Sequence, residues 1–177
     1  EAAQATLAMA SIQAPIAGGS ITVNGQITAN DDASVTLIGS GATTTLNADI
    51  ITAGNAITIN DSLILGTSGA ATSGAVTLDT TNGAATGANI TVTGTIKDDS
   101  EGNSGLILKG GTLGTVDLQS AVGSATDAEQ INYLTASGLS IAVDDVTTTG
   151  NQTYNGAITL NGDLLSDNAG AIQVNGN

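Results

Sequence analysis

The chain of 177 residues has no cysteine, no histidine, no arginine, no phenylalanine, no tryptophan and a single proline, Pro15. Without cysteine or histidine there is no disulfide, no zinc site of the usual kind, no thiol nucleophile and no histidine-based triad. Without phenylalanine or tryptophan, and with only Tyr133 and Tyr154 as aromatics, the interior has to be built from Ala, Val, Ile and Leu, which excludes an aromatic-filled globule. The two cations, Lys97 and Lys109, face 16 acidic residues and leave a formal net charge of −14. A chain with no basic patch cannot release phosphate counterions, so neither nucleic acid nor an anionic lipid surface is an expected partner. No apolar run approaches the roughly 20 residues of a membrane span, and no membrane insertion is expected. Glu1 opens no basic signal region, so the chain is read as a processed product or a piece of something longer.

What remains is a weakly charged, mildly apolar sequence, with 10% charged residues and a positive mean hydropathy, the opposite of a disordered composition. It repeats itself. Ile21-Thr22-Val23-Asn24-Gly25-Gln26-Ile27 recurs as Ile57-Thr58-Ile59-Asn60-Asp61-Ser62-Leu63, as Ile90-Thr91-Val92-Thr93-Gly94-Thr95-Ile96 and as Ile158-Thr159-Leu160-Asn161-Gly162-Asp163-Leu164, with a short copy, Ile172-Gln173-Val174-Asn175-Gly176. Val35-Thr36-Leu37, Val76-Thr77-Leu78, Leu106-Ile107-Leu108, Val116-Asp117-Leu118 and Leu139-Ser140-Ile141 are shorter relatives. Each alternates apolar and polar residues with β-branching, the period of a strand with one buried face. Between them lie Gly39-Ser40-Gly41, Asn82-Gly83 and Gly110-Gly111, which is turn chemistry.

Many short strands at close spacing fit an antiparallel sandwich or a parallel β-solenoid, and core chemistry separates them. A solenoid stacks the same small apolar residue above itself coil after coil, which requires near-identical phrases and no large aromatics. The expected fold is therefore all-β, a β-solenoid of about nine coils of roughly 20 residues, a rod near ~40 Å at ~4.8 Å per coil. Residues 1–19 are Ala-rich and set apart by Pro15 and Gly18-Gly19, so they read as an N-terminal arm or lead, and 20–177 as the repeats. An insertion loop is expected over 124–130.

The stretch from Val146 through Gly150-Asn151-Gln152-Thr153-Tyr154-Asn155-Gly156 to Leu160 resembles the recurrent phrase of large bacterial exoproteins, the filamentous-haemagglutinin-like adhesins and autotransporter passengers with β-strand repeats. Its Gly150–Leu160 portion has an internal partner at Gly54–Leu65, with Ile59 set against Tyr154. The resemblance covers most of residues 20–177. It implies a right-handed parallel β-helix, export to the cell surface or medium, and service as a stalk or adhesive fibre. The Asn-Pro-Asn motifs of that family's secretion domain do not occur, so the likeness is to the repetitive shaft.

Three acidic pairs, Asp31-Asp32, Asp98-Asp99 and Asp144-Asp145, are candidates for carboxylate chemistry, and Asp98 through Asn103 puts oxygen ligands close enough for calcium but lacks the EF-hand spacing. Solvated turns explain them more simply, and no catalytic, cofactor-binding or metal residue is assigned. A polysaccharide-cleaving site would need aromatic rings or arginine to grip sugar, so no enzyme is expected. Thr22, Thr58, Thr91 and Thr159 are expected to point outward and to stack, the arrangement of an ice-binding face, although only Thr91-Val92-Thr93 carries two outward threonines. Asn24, Asn60, Asn155, Asn161 and Asn175 sit where amides stack along a solenoid axis. Two functions follow from the fold: the shaft of an extracellular surface adhesin, with a cell-surface receptor as partner, or a self-assembling filament subunit whose open ends stack on other copies of itself, with residues 1–17 as the docking arm.

Overall fold

The computed structural model describes residues 9–13, 18–30, 32–39, 41, 43–66, 74–100, 102–124 and 129–176. The chain winds as a parallel β-helix with three faces, visiting them in fixed order and returning one rung further along the axis. The first face carries β1 (Met9–Gln13), β4 (Ser34–Ile38), β7 (Ile57–Ile59), β10 (Ile90–Val92), β13 (Thr115–Leu118) and the second halves of β14 (Leu134–Val143) and β16 (Gln152–Leu160). The second face carries β2 (Ile21–Val23), β5 (Thr43–Leu46), β8 (Ser62–Leu65), β11 (Ile96–Asp98), the isolated bridging residues Val122 and Ile131, β15 (Val146–Thr148) and β17 (Leu164–Ser166). The third carries β3 (Ile27–Ala29), β6 (Ile50–Thr52), β9 (Ala75–Asp79), β12 (Gly105–Lys109), the first halves of β14 and β16, and β18 (Ile172–Val174). No α-helix occurs among the described residues.

Seven rungs per face at ~4.8 Å make a rod of about 30 Å, shorter than the nine coils and 40 Å expected from a uniform 20-residue repeat. The coils are not uniform. Register advances 22 residues from Val35 to Ile57, 33 from Ile57 to Ile90 and 17 from Ile141 to Ile158. Each turn needs three short strands, and its corners absorb the rest.

The interior is made of columns. On the first face Val35, Ile57, Ile90, Val116, Ile141 and Ile158 stand directly over one another, as do Leu37, Ile59, Val92, Leu118, Val143 and Leu160. From Val35 to Val143 these residues are fully buried or nearly so. On the third face Ile27, Ile50, Leu78, Leu108, Ala136, Tyr154 and Val174 form a column in which the one buried aromatic sits over the smallest member. The large ring is set against the small side chain of Ala136, a pairing that suits a close-packed interior.

The shared I-T-V phrase encodes a strand and not a face. Ile57, Ile90 and Ile158 are in register on the first face, but Ile21 lies on the second and Ile172 on the third. Likewise Tyr154 is on the third face, so its expected counterpart Ile59, on the first, is not its structural equivalent. Of residues 1–19, Met9–Gln13 add a rung by pairing with β4, while 1–8 and 14–17 lie outside the described residues. The expected insertion at 124–130 falls largely on 125–128, also outside them.

Two devices at the corners hold coil to coil. Asp49, Asn89, Asp145 and Asn151 each precede a strand, and their side-chain oxygens accept the backbone N–H of Thr77, Thr115, Asp163 and Ala171 in the next coil, at 2.8–2.9 Å. These bonds satisfy strand-edge donors that the corner would otherwise leave open. At the corner between the third and first faces, Gly114, Gly138, Gly156 and Gly176 stack on successive rungs. A Cβ on Gly156 would lie 2.1 Å from the Gly138 carbonyl oxygen, and one on Gly176 1.8 Å from that of Gly156. Glycine is required here because backbones approach too closely for any side chain.

Candidate functional site

Two regions depart from the regular stack. The first is a groove of about 450 Å³ on the outside of the second face. It lies over the start of the fifth rung, where Ala121-Val122-Gly123 bridge in place of a regular strand, with Val122 inward and only small residues facing out, before the rung resumes at Ile131. Lys97 and Glu129 form an ion pair at 2.7 Å along one side, and Thr95, Asp145, Asp163 and Leu165 line the rest. Both ion-pair partners are more than a third exposed, so the bond adds little stability. Asp145 is already engaged as a corner clamp on Asp163 N.

The second region is the end of the rod. Leu160, Ile172 and Val174, the last members of inward columns, are 49, 42 and 45% exposed, whereas Ile21 and Val23 of the first second-face rung are 7 and 6% exposed. The far end therefore presents an apolar surface of core-type side chains, and the near end presents none on that face.

Beneath the far end lies a buried polar network. Tyr154 Oη donates to Gln152 Oε1 at 2.9 Å, and Gln152 Nε2 donates to the Leu165 carbonyl at 2.7 Å and to the Val146 carbonyl and Thr148 Oγ1 at 3.2 Å. Burial pushes the Tyr154 phenol well above its ordinary value. Gln152 and Tyr154 are both fully buried, and each polar atom is satisfied, as a buried network requires.

The residues singled out from sequence do not converge. Asp31 is outside the described residues and Asp32 is exposed. Asp98 turns into the core while Asp99 is exposed, Glu101 of the same run lies outside the described residues, and no cluster of three acidic residues able to hold a metal is found among the described residues. Asp144 and Asp145 flank the corner before β15. Thr36, Thr58 and Thr91 do stack on the first face, but the column continues as Asp117 and Ala142 before Thr159, and Thr22 lies on the second face. A broken single file is not a flat threonine array. Asparagine stacking is seen at Asn47 Nδ2 to Asn24 Oδ1, 2.7 Å, and Asn175 Nδ2 to Asn155 Oδ1, 2.8 Å.

Asp79 is a carboxylate with a shifted pKa. Burial raises its pKa, but hydrogen bonds from the Thr81 hydroxyl and N–H and from Lys109, 3.3 Å away, outweigh it and hold it below the usual range. Comparison with protein-family models, with curated proteins and with solved structures returned no match.

Proposed function

We propose that the chain is an extracellular structural β-solenoid, a shaft segment of a bacterial surface adhesin, whose contribution is length and shape. The observation that carries this reading is the set of side-chain columns running in register through the rungs. A rod built this way lengthens by about 4.8 Å with every coil added, using only small aliphatic residues. The aromatic rings are spent on packing: Tyr154 is sealed in the core, and the ring of Tyr133 packs on Gly105, where a Cβ would meet it at 2.4 Å. A net charge of −14 on a thin rod keeps neighbouring rods apart and in solution.

The exposed apolar end favours a second reading, a filament subunit that stacks on copies of itself. Against it, Met9–Gln13 of the expected docking arm pair with β4 of their own chain, and Ile21 and Val23 offer no matching apolar face. Negative-stain microscopy with light scattering separates the two. Isolated short rods of monomer mass are expected; ordered fibres with an axial repeat near one rod length would replace the shaft by the filament. Immunogold labelling of the source cells should decorate the surface, and label confined to the cytoplasm would overturn the extracellular assignment.

A further inference from the structure

The acidic residues that keep rods apart are not spread evenly around the coil. The corner between the first and second faces carries Asp144, Asp145 and Asp163, and that between the second and third carries Asp49, Asp99 and Asp167. The corner between the third and first faces is crossed by residues 81–89, 110–114, 137–140 and 155–157 in four successive coils, and none of these is charged.

That corner carries instead the two most exposed large apolar side chains among the described residues, Leu113 at 65% and Leu139 at 58%. They are neighbours along the axis: Thr112 N donates to the Ala85 carbonyl at 2.9 Å in the coil below, and Leu139 N to the Gly114 carbonyl at 2.8 Å. Ala84, Ala85 and Ala157 extend the exposed apolar strip one coil each way. Leu160 and Val174 are exposed because they end their columns, but Leu113 and Leu139 lie on the flank, where no added coil covers them. Burial against a partner is what relieves such a strip.

Leu113 is flanked in its own coil by one charge of each sign. Lys109, at the end of β12, lies on the third-face side with its side chain half exposed, and Asp117 lies outward between the buried Val116 and Leu118 on the first-face side. Within the chain Lys109 holds Asp79 at 3.3 Å, and Asp117 accepts from Gln119 Nε2 at 2.6 Å.

We infer that this ridge receives a second copy of the chain, the two rods lying parallel and related by a two-fold axis along their length. That operation sets Leu113 against the partner's Leu113 and Leu139 against the partner's Leu139, turns each Lys109 toward the partner's Asp117, and points the acidic corners away. An antiparallel pair would instead turn Lys109 toward the partner's Lys109. The strip is about 15 Å long, three steps of ~4.8 Å, and falls well short of the ~1,200 Å² of a stable interface. Dilute rods therefore stay monomeric, and pairing belongs to rods that are crowded or tethered side by side. The contact uses the flank of the rod and is independent of what its ends do.

Sedimentation equilibrium of the intact chain over a concentration series tests the ridge, with the Leu113→Ser, Leu139→Ser double variant and Leu160→Ser compared to wild type. Wild-type mass is expected to rise from monomer toward dimer, the double variant to associate about tenfold more weakly or less, and Leu160→Ser to match wild type. A mass that stays monomeric at every concentration, or equal association by the double variant, overturns the ridge. Association lost in Leu160→Ser and kept in the double variant also overturns it, and assigns the contact to the rod end. All three positions are exposed, and circular dichroism checks that the variants fold. Orientation is read by disulfides, because the chain has no cysteine. Ala85→Cys is expected to form a homodimer on oxidation faster than Asn168→Cys, an exposed position at an acidic corner. Equal rates overturn the ridge, and cross-linking of Ala85→Cys to Ala157→Cys in preference to itself overturns the parallel arrangement.

Discussion

Replacing Ile90 by alanine removes three carbons from the middle of a six-residue aliphatic column, between Ile57 in the rung below and Val116 in the rung above. Ile90 is completely buried, so the transfer loss alone is about 2.4 kcal/mol at ~0.8 kcal/mol per carbon. Neighbouring rungs are pinned by their own hydrogen bonds and cannot collapse into the gap, which brings the total to about 3–4 kcal/mol. For a chain of this length that lowers Tm by roughly 6–16 °C. Leu160→Ala, in the parallel column at the exposed end, removes as many carbons from a side chain already 49% exposed, and should cost less than about half as much. Urea unfolding followed by circular dichroism measures both, with the m-value watched for loss of a single cooperative transition, a known hazard of linear repeats. Equal losses at the two positions, or a loss under about 1 kcal/mol for Ile90→Ala, would refute columnar packing as the source of stability.

Gly156→Ala places a Cβ 2.1 Å from the Gly138 carbonyl oxygen, backbone against backbone, and should destabilise by roughly 1–3 kcal/mol, whereas Gly25→Ala, with nothing within 4 Å, should be near neutral; paired urea midpoints check this. Tyr154→Phe keeps the ring but leaves Gln152 Oε1 without its donor in the core, and a loss of roughly 1–3 kcal/mol by thermal melting is expected. Because the Asp79 pKa is held down in the fold, its stabilisation is present above about 3.8 and disappears as pH falls through the folded value. Wild type should thus weaken below pH 4 more steeply than Asp79→Asn in acid-unfolding curves.

Strand existence was legible because each apolar residue alternates with a polar one and turn residues stand between, so phrases such as Ile57-Thr58-Ile59 announce themselves. Face was not, because identical phrases serve all three sides, and only the corner lengths decide where Ile21, Ile90 and Ile172 fall. The glycine column is a property of register: Gly114, Gly138, Gly156 and Gly176 recur at intervals of 24, 18 and 20, which no fixed period reveals. Asp98 was grouped with Asp99 as a turn pair, although the alternation Ile96-Lys97-Asp98 already put it on the inward side. The groove needed the register as well, since Ala121 and Gly123 become a depression only when set against Lys97 below and Thr147 above. The polar anchors Gln152 and Tyr154 were hidden for a related reason, polar side chains inside being recognisable only through their partners.

The absence of cysteine makes the central claim directly testable, because any introduced pair is unique. Thr58 and Thr91 are 33 residues apart in sequence but are opposite partners on adjacent parallel rungs, half-buried on the outside of the first face. Adjacent strands at about 4.8 Å fall inside the Cα separation a disulfide accepts. Oxidation of the Thr58→Cys, Thr91→Cys double variant should give rapid, intramolecular cross-linking with the strand spectrum unchanged, while Thr22→Cys with Thr58→Cys, the same phrase on different faces, should stay reduced. Failure of the first pair to cross-link in a folded chain, or equal cross-linking of the second, would contradict the stacked three-faced coil.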